Sequence, residues 1–248
     1  MSNLKISLIT VVYNSASTIK RCIESVIAQN YPNIEYIIID GGSTDGTLQI
    51  IEQYLPHIKF FLSEADGGIY DAMNKGIKAA TGNIIGTLNS DDFFADNDVL
   101  SCISQAFVQH DPDVVYGNLD YIDLKGNIKR IWKAGRYVNN RFNWGWMPPH
   151  PTFYCKRELF EKFGAYNLQY GTAADYELMV RFIHQNKVSI YYLNKTIVKM
   201  SIGGVSNKAY RNRYNAWVND YKAMRKNGVI FPSLAIVLKP LRKIVQYF

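Results

Sequence analysis

The run Ile6-Ser7-Leu8-Ile9-Thr10-Val11-Val12-Tyr13 constrains the fold more than any other stretch of the chain. It is a continuous apolar and β-branched line with no polar face. Such strands are buried on both sides, in parallel sheets covered by helices above and below. The segments that follow supply those helices. Ser17 can cap a helix carrying Ile19, Cys22, Ile23, Val26 and Ile27, and Pro32 stops it. Residues 35–40 form a second buried strand, and Leu48, Ile51, Tyr54 and Leu55 mark a second amphipathic helix. Residues 59–62 form a third strand. Strand and helix alternate across short Gly-rich turns, which predicts an α/β fold with a doubly wound, mostly parallel sheet.

At 248 residues the chain suits one large domain with a C-terminal appendage. An apolar content of 48% is ample for its core, and no run of about 18 apolar residues predicts a spanning helix. Residues 1–5 lead directly into a strand, so no secretory leader is expected. Cys22, Cys102 and Cys155 lack metal-ligand spacing and read as reduced thiols. The net charge of +7 favours anionic partners such as nucleotides, nucleic acid or a phospholipid surface.

The most informative stretch chemically is SEADGGIYDAMNKGIKAATGNIIGTLNSDD, from Ser63 to Asp92. An acidic loop with Glu64 and Asp66 is closed by Gly67-Gly68. A helix then carries Ile69, Met73, Ile77 and Ala80 on one face, and Gly82 ends it. The apolar run Ile84, Ile85 and Leu88 delivers Asn89, Ser90, Asp91 and Asp92 to a strand's carboxyl end, the edge where open α/β sheets bind ligands. Adjacent carboxylates raise one another's pKa unless something neutralises them. A divalent metal does so while taking most of its shell from phosphate oxygens and water. The alternative is that the pair caps the next helix. Asp40, closing the second strand, suits a hydrogen bond to a base or ribose donor, or else an Asx turn that Ser43 or Asp45 could equally provide. No G-x-x-x-x-G-K-[ST] is present, and no G-x-G-x-x-G follows the first strand. Those absences argue against a phosphate-loop NTPase and a dehydrogenase.

Taken in order, SLITVVYN, IIDGGSTDGT, SEADGGIYDAMNKGI and LNSDD resemble family 2 glycosyltransferases of the GT-A fold, in particular bacterial enzymes of colanic acid and O-antigen assembly. The resemblance implies that Thr10 and Tyr13 line the nucleotide pocket and that Asp40 holds the base. It implies that Asp66 and Lys75 lie near the donor. It makes Asp91 and Asp92 the acidic motif for Mn²⁺ or Mg²⁺, with Asn89 at the position where the family more usually has the first Asp of D-x-D. A base-binding Asp40 favours a UDP-sugar, through the imide N–H of a pyrimidine.

In the second half, Asn97 can cap a helix carrying Val99, Leu100, Ile103 and Phe107, and residues 114–116 read as a fifth strand. Residues 118–123 and 128–133 read as an antiparallel hairpin. Residues 136–147 are aromatic and basic. Trp146 there is either part of a sugar platform or packed on the sheet. His150 stands in a rigid Pro-rich segment, where the resemblance implies an acceptor-binding residue. Asp175 opens a helix with Leu178, Met179, Phe182 and Ile183 inward. It is either a carboxylate favoured by the helix dipole or the general base of an inverting transfer. The resemblance places the base Asp in such a segment, although Ala174 stands where relatives carry an acidic residue or Ser. Glu177 is the second candidate. Residues 190–193 and 196–200 read as closing strands. The turn Gly203-Gly204-Val205-Ser206 and Lys208 after it could meet the donor diphosphate. Residues 234–248 mix apolar side chains with Lys239, Arg242 and Lys243, as in an interfacial helix on anionic lipid or a packed terminal helix.

These readings converge on a glycosyltransferase domain over residues 1–206. Its nucleotide-sugar half spans 1–117 and its acceptor half 118–206, with a helical appendage at 207–248. The expected activity is inverting transfer from a nucleotide sugar, with a divalent metal, to a saccharide acceptor linked to polyprenyl diphosphate. The setting is bacterial surface-polysaccharide assembly at the cytoplasmic face of the inner membrane, with no nucleic-acid partner. A sugar nucleotidyltransferase would need a Gly-rich, Arg/Lys-bearing loop after the first strand, and Val11-Val12-Tyr13-Asn14 has none. A non-catalytic nucleotide-sugar or glycan-binding protein would not need Asp175.

Overall fold

The computed structural model describes residues 4–123, 125–202, 210–244 and 246. Strand β1 (Ile6–Val12) lies at the centre of the parallel region, and all seven of its residues are buried. It pairs in parallel with β2 (Ile34–Asp40) on one side and β4 (Ile84–Thr87) on the other, and β3 (Phe60–Ser63) extends the sheet beyond β2. Alternate side chains feed two cores. Ile9 and Val11 pack with Ala72, Met73 and Ile77 of α3 (Ile69–Ala79). Ile6 and Leu8 pack with α1 (Ile19–Ile27), with Ile51 of α2 (Thr47–Glu52) and with α4 (Val99–His110). This two-sided burial is what the apolar continuity of β1 requires.

Gly76 sets how closely α3 lies on the sheet. A Cβ at that position would stand 2.5 Å from Cγ2 of Ile9. The glycine in MNKGI therefore holds Tyr70, Asn74 and Lys75 of the same helix at a fixed height above β1. Ile69 departs from its expected inward position and is half exposed.

Beyond β4 the sheet changes direction. Its order is β3-β2-β1-β4-β8-β6-β9-β5, with β7 attached to β6. β8 (Tyr154–Lys156) runs antiparallel to β4 and β6 (Val114–Ile122), and β7 (Ile128–Trp132) forms the expected hairpin with β6. The two closing strands read from sequence are one strand, β9 (Ile190–Ser201), parallel to β6. Register shifts around Asn118 absorb the polar interruption at Asn194-Lys195. Asp92 does not cap a helix. It opens a three-residue strand, β5 (Asp92–Phe94), antiparallel to β9. Asp98, rather than Asn97, occupies the cap position of α4.

After β8 come α5 (Glu158–Phe163) and α6 (Ala174–Met179), the latter continuing as a π-helical turn through Gln185. In α7 (Tyr210–Lys226), Ala223 and Met224 join the same core as α6, as do Val229 in the connecting turn and Ala235 of α8 (Pro232–Ile244). No helix among the described residues is long and apolar enough to cross a membrane.

Candidate active site

Strands β1, β2 and β4 end on one edge and carry the donor-side residues. Tyr13, just past β1, is 63% exposed there. Thr10 is fully buried, and its hydroxyl meets the Tyr36 hydroxyl at 3.1 Å. It packs beneath α1, so its side chain does not line a nucleotide pocket. Asp40 is fully buried too, and its carboxylate accepts from four donors: Gly42 N (3.0 Å), Ser43 N (3.0 Å), Ser43 Oγ (2.5 Å) and Ser63 Oγ (2.7 Å). Those bonds build the Asx turn weighed above, and the buried carboxylate presents no surface to a base. The reading of Asp40 as base holder is corrected accordingly.

Asp66 comes closest to filling that space. Its Oδ2 lies 2.7 Å from where a Cβ on Gly41 would stand, and its Oδ1 accepts from Gly68 N (2.8 Å). Lys75 reaches back to the same loop and pairs with Glu64 (2.8 Å) and Asp71 (3.7 Å), which hold its ammonium above the ordinary lysine range.

The acidic motif after β4 divides into two environments. Asp92 is 1% exposed, and its Oδ2 accepts from Asn89 Nδ2 at 3.0 Å. Burial, and then the neighbouring Asp91, push its carboxyl well above the ordinary range. Asp91 is only partly buried. Burial raises it, and the Arg21 guanidinium opposes the rise. Asp91, not Asp92, is therefore the carboxylate presented at the strand edge. Arg21 of α1 donates to Ser201 Oγ (2.7 Å) and to the Asp91 carbonyl (3.5 Å), and it stacks 4.2 Å over Phe93.

Asn89 Oδ1 and Asp92 Oδ1 are buried without a hydrogen-bond partner. The donor set is all oxygen, as Mn²⁺ or Mg²⁺ prefers. No group of three or more His, Cys, Asp or Glu converges among the described residues. A cation here fits if Asp91 is its main protein ligand and diphosphate oxygens and water complete the shell.

The acceptor-side residues, far apart in sequence, meet. His150 Nδ1 lies 3.9 Å from Asp175 Oδ2, and His150 Nε2 lies 3.0 Å from the Tyr166 hydroxyl. Burial lowers the His150 pKa, against the pull of Asp175, so the ring is neutral at neutral pH. Tyr70 of α3 packs on Tyr166 with ring centroids 5.3 Å apart, and its hydroxyl donates to the Thr172 carbonyl (3.4 Å). Burial and then the Asp175 carboxylate hold that phenol protonated. Asn74, one turn on, bonds the Tyr166 backbone in both directions at 2.9 Å. Helix α3 thus joins the donor edge to the Asp175 pocket.

Two acceptor-side candidates fall away. Glu177 is 2% exposed and paired with Arg181 (3.1 Å), with Asn227 on the same oxygen. Trp146 is 4% exposed, its indole N–H donates to the Ala134 carbonyl (2.9 Å), and it packs edge-on against Tyr116 and Phe142. It is core rather than sugar platform. The Gly203–Ser206 turn and Lys208 lie outside the described residues. Sequence reasoning missed Arg21, Tyr70 and Tyr166. The i, i+4 spacing of Tyr70 and Asn74 inside the signature helix was the available signal.

Comparison with known proteins identifies the family and the fold. The Glycosyl transferase family 2 model matches residues 7–166. A PGL/p-HBAD biosynthesis glycosyltransferase of Mycobacterium bovis is 31% identical over 206 residues, covering 81% of this chain and 78% of that protein. Staphylococcus aureus TarS 1–349 in complex with UDP superposes with a TM-score of 0.71 at 19% identity, over 98% of this chain and 72% of that one. Against another crystal structure of TarS the match spans 39% of that chain. The mannosyltransferase PcManGT of Pyrobaculum calidifontis, in complex with GDP-Man and Mn²⁺, gives a TM-score of 0.68 at 16% identity, over 96% and 72%. At these identities the structures speak for the GT-A fold. The sequence match goes further: the chain belongs to glycosyltransferase family 2 and is a glycosyltransferase.

Proposed function

We propose that the enzyme transfers a sugar, with inversion, from a UDP-sugar to a lipid-linked saccharide acceptor in bacterial surface-polysaccharide assembly, such as O-antigen, capsule or exopolysaccharide. The observation that carries this reading is the meeting of Asp175, His150, Tyr166 and Tyr70 in one pocket, tied by α3 to the strand edge bearing Asp91. Asp175 takes the proton of the acceptor hydroxyl as that oxygen attacks the anomeric carbon. The bond from that carbon to the phosphate oxygen breaks, and the nucleoside diphosphate leaves with the electron pair. One carboxylate opposite the leaving group suffices, with no covalent intermediate. Neutral His150 and the protonated phenol of Tyr70 fix the carboxylate's surroundings without adding charge.

A divalent cation on Asp91, Mn²⁺ or Mg²⁺, would supply charge neutralisation for the departing diphosphate. The UDP complex of TarS supports UDP as the nucleotide. Asp40 no longer contributes to that choice, because its carboxylate is buried. The exposed stripe Leu234, Val237 and Leu241, with exposed Arg242 and Lys243 on the same helix, supports peripheral contact of α8 with the anionic inner leaflet. The test is to supply UDP-, GDP- and dTDP-sugars with Mn²⁺, follow nucleoside diphosphate release, and read the anomeric configuration of the first-formed product by NMR. Release from UDP-sugars with inverted configuration is expected. Retained configuration would remove Asp175 from its role, and release from GDP-sugars alone would overturn the donor.

A further inference from the structure

Asp175 stands on a helix that the C-terminal part of the chain holds from beneath. It lies in the first turn of α6, and the ring of the next residue, Tyr176, is 1% exposed in the core. Against that ring lies a charged pair. Lys239 Nζ of α8 rests 3.6 Å from the ring centroid and 2.6 Å from Asp220 Oδ2 of α7. Both side chains of the pair are largely buried, and a desolvated ammonium over an aromatic face is attracted to it. Successive residues of a helix are turned about 100° from one another, so a Tyr176 ring held in place fixes the direction of Asp175.

Lys239 reaches the ring from a fixed backbone. Gly145 (φ +72°) lets α8 lie directly on the end of the Arg141–Trp144 turn. A Cβ at Gly145 would stand 2.6 Å from Lys239 N and 2.7 Å from the Ala235 carbonyl oxygen. Two hydrogen bonds flank that contact: Ile230 N donates to Asn143 Oδ1 (2.8 Å), and Arg242 Nε donates to the Trp144 carbonyl (2.8 Å). A buried ion pair adds little stability over apolar side chains of the same volume. This one sits where its charges act on the site. Burial raises the Asp220 carboxyl, Lys239 opposes the rise, and the Asp175 charge adds to it, so the two carboxylates sense each other. Lys243 of α8 senses Asp175 as well.

We propose that Lys239 and Asp220 are positioning residues for the transfer: the ammonium clamps the Tyr176 ring so that Asp175 faces the acceptor hydroxyl, and Asp220 balances that ammonium beside the base. Both act through α6. The proposal rests on Asp175 being the base. It gives a part in the reaction to α7 and α8, which lie beyond the residues 7–166 matched by the family model.

The test uses the full chain with water as acceptor and the nucleotide sugar turned over fastest in the donor panel, at saturating donor and Mn²⁺. Release of nucleoside diphosphate is followed from about pH 5 to 9, and nucleotide affinity is titrated on the same preparations. Lys239→Met should lower kcat about tenfold with donor KM and nucleotide affinity unchanged, the split expected when geometry at the reacting centre is lost and binding is kept. Asp220→Asn keeps the shape of the side chain and removes an anion that favours the protonated form of Asp175. The acid limb of its kcat profile should therefore move to lower pH by about half a unit. The other groups that face Asp175, namely His150, Tyr70, Tyr166 and Lys243, are the same in both variants. A pair that only stabilised the fold would leave that midpoint in place. Wild-type kcat in Lys239→Met, or a wild-type midpoint in Asp220→Asn, would overturn the proposal. If Lys239→Met does not fold, the Asp220→Asn midpoint decides. Wild-type release by Asp175→Asn would strike the base and the pair with it, whereas an inactive Asp175→Asn beside a Lys239→Met enzyme of wild-type kcat would strike the pair alone.

Discussion

The proposed chemistry draws on two carboxylate sites set in opposite surroundings. At the donor edge Asp91 and Asp92 lie side by side, both raised by burial, with Arg21 the cation acting on them. Around Asp175 stand neutral groups, His150, kept uncharged by burial, and the protonated phenols Tyr70 and Tyr166, while Asp220 and Lys243 act on it in opposite senses. The first site is short of positive charge and gains from a cation and its diphosphate. The second sets one carboxylate among neutral polar groups, with an anion and a cation acting on it in opposite senses, which suits a group that must accept a single proton. The difference teaches that acidic residues alone do not identify a role; what surrounds each carboxylate does.

The comparison breaks most visibly at its catalytic end. Asp175→Asn should lower transfer by about 10³-fold, the range of a lost general base, while metal-dependent UDP affinity stays as in wild type in calorimetry. Asp91→Asn should act on the other site, weakening metal-dependent UDP binding by about 100-fold in the same titration. Tyr70→Phe keeps the ring packing on Tyr166 and removes the hydroxyl beside Asp175. Transfer should fall by about tenfold in kcat, with donor KM unchanged.

Asp92→Asn sharpens the contrast through stability. The folded protein raises the Asp92 pKa, so its carboxyl binds protons more tightly folded than unfolded. Its penalty is absent below the unfolded pKa of about 4 and grows as pH rises above it. In metal-free protein the Asn variant should be more stable by about 1–3 kcal/mol at pH 7, a gain that closes near pH 4 in denaturant titrations. The smallest effect is electrostatic. Arg21 lowers the Asp91 pKa, so Arg21→Ala should shift the acid-side loss of metal-dependent UDP binding to higher pH, read as a moved midpoint in a pH series.

The donor half was largely legible in the sequence because its strands and helices are local units. Each places its last residue on a common edge, so strand ends at Tyr13, Asp40 and Asn89 follow from periodicity. Their side-chain roles were less legible. Thr10 and Asp40 stand at positions that look like a pocket, yet packing under α1 and the Gly42–Ser43 turn claim them. The acceptor half depends on contacts between distant segments. That Asp175 opens a helix was readable from the chain. That His150, Tyr166 and Tyr70 surround it was not, because the antiparallel run of β8 and the docking of α3 on Tyr166 bring them together. Trp146 misled because an aromatic, basic loop has the same composition whether it meets a sugar or the back of the sheet.

The most direct test of the two-site account is a paired titration of UDP with Mn²⁺ on Asp91→Asn and Asp175→Asn, with sugar transfer measured on the same samples. The account predicts that Asp91→Asn loses metal-dependent binding, whereas Asp175→Asn binds as wild type and does not turn over. Wild-type turnover by Asp175→Asn, or wild-type metal-dependent binding by Asp91→Asn, would contradict it.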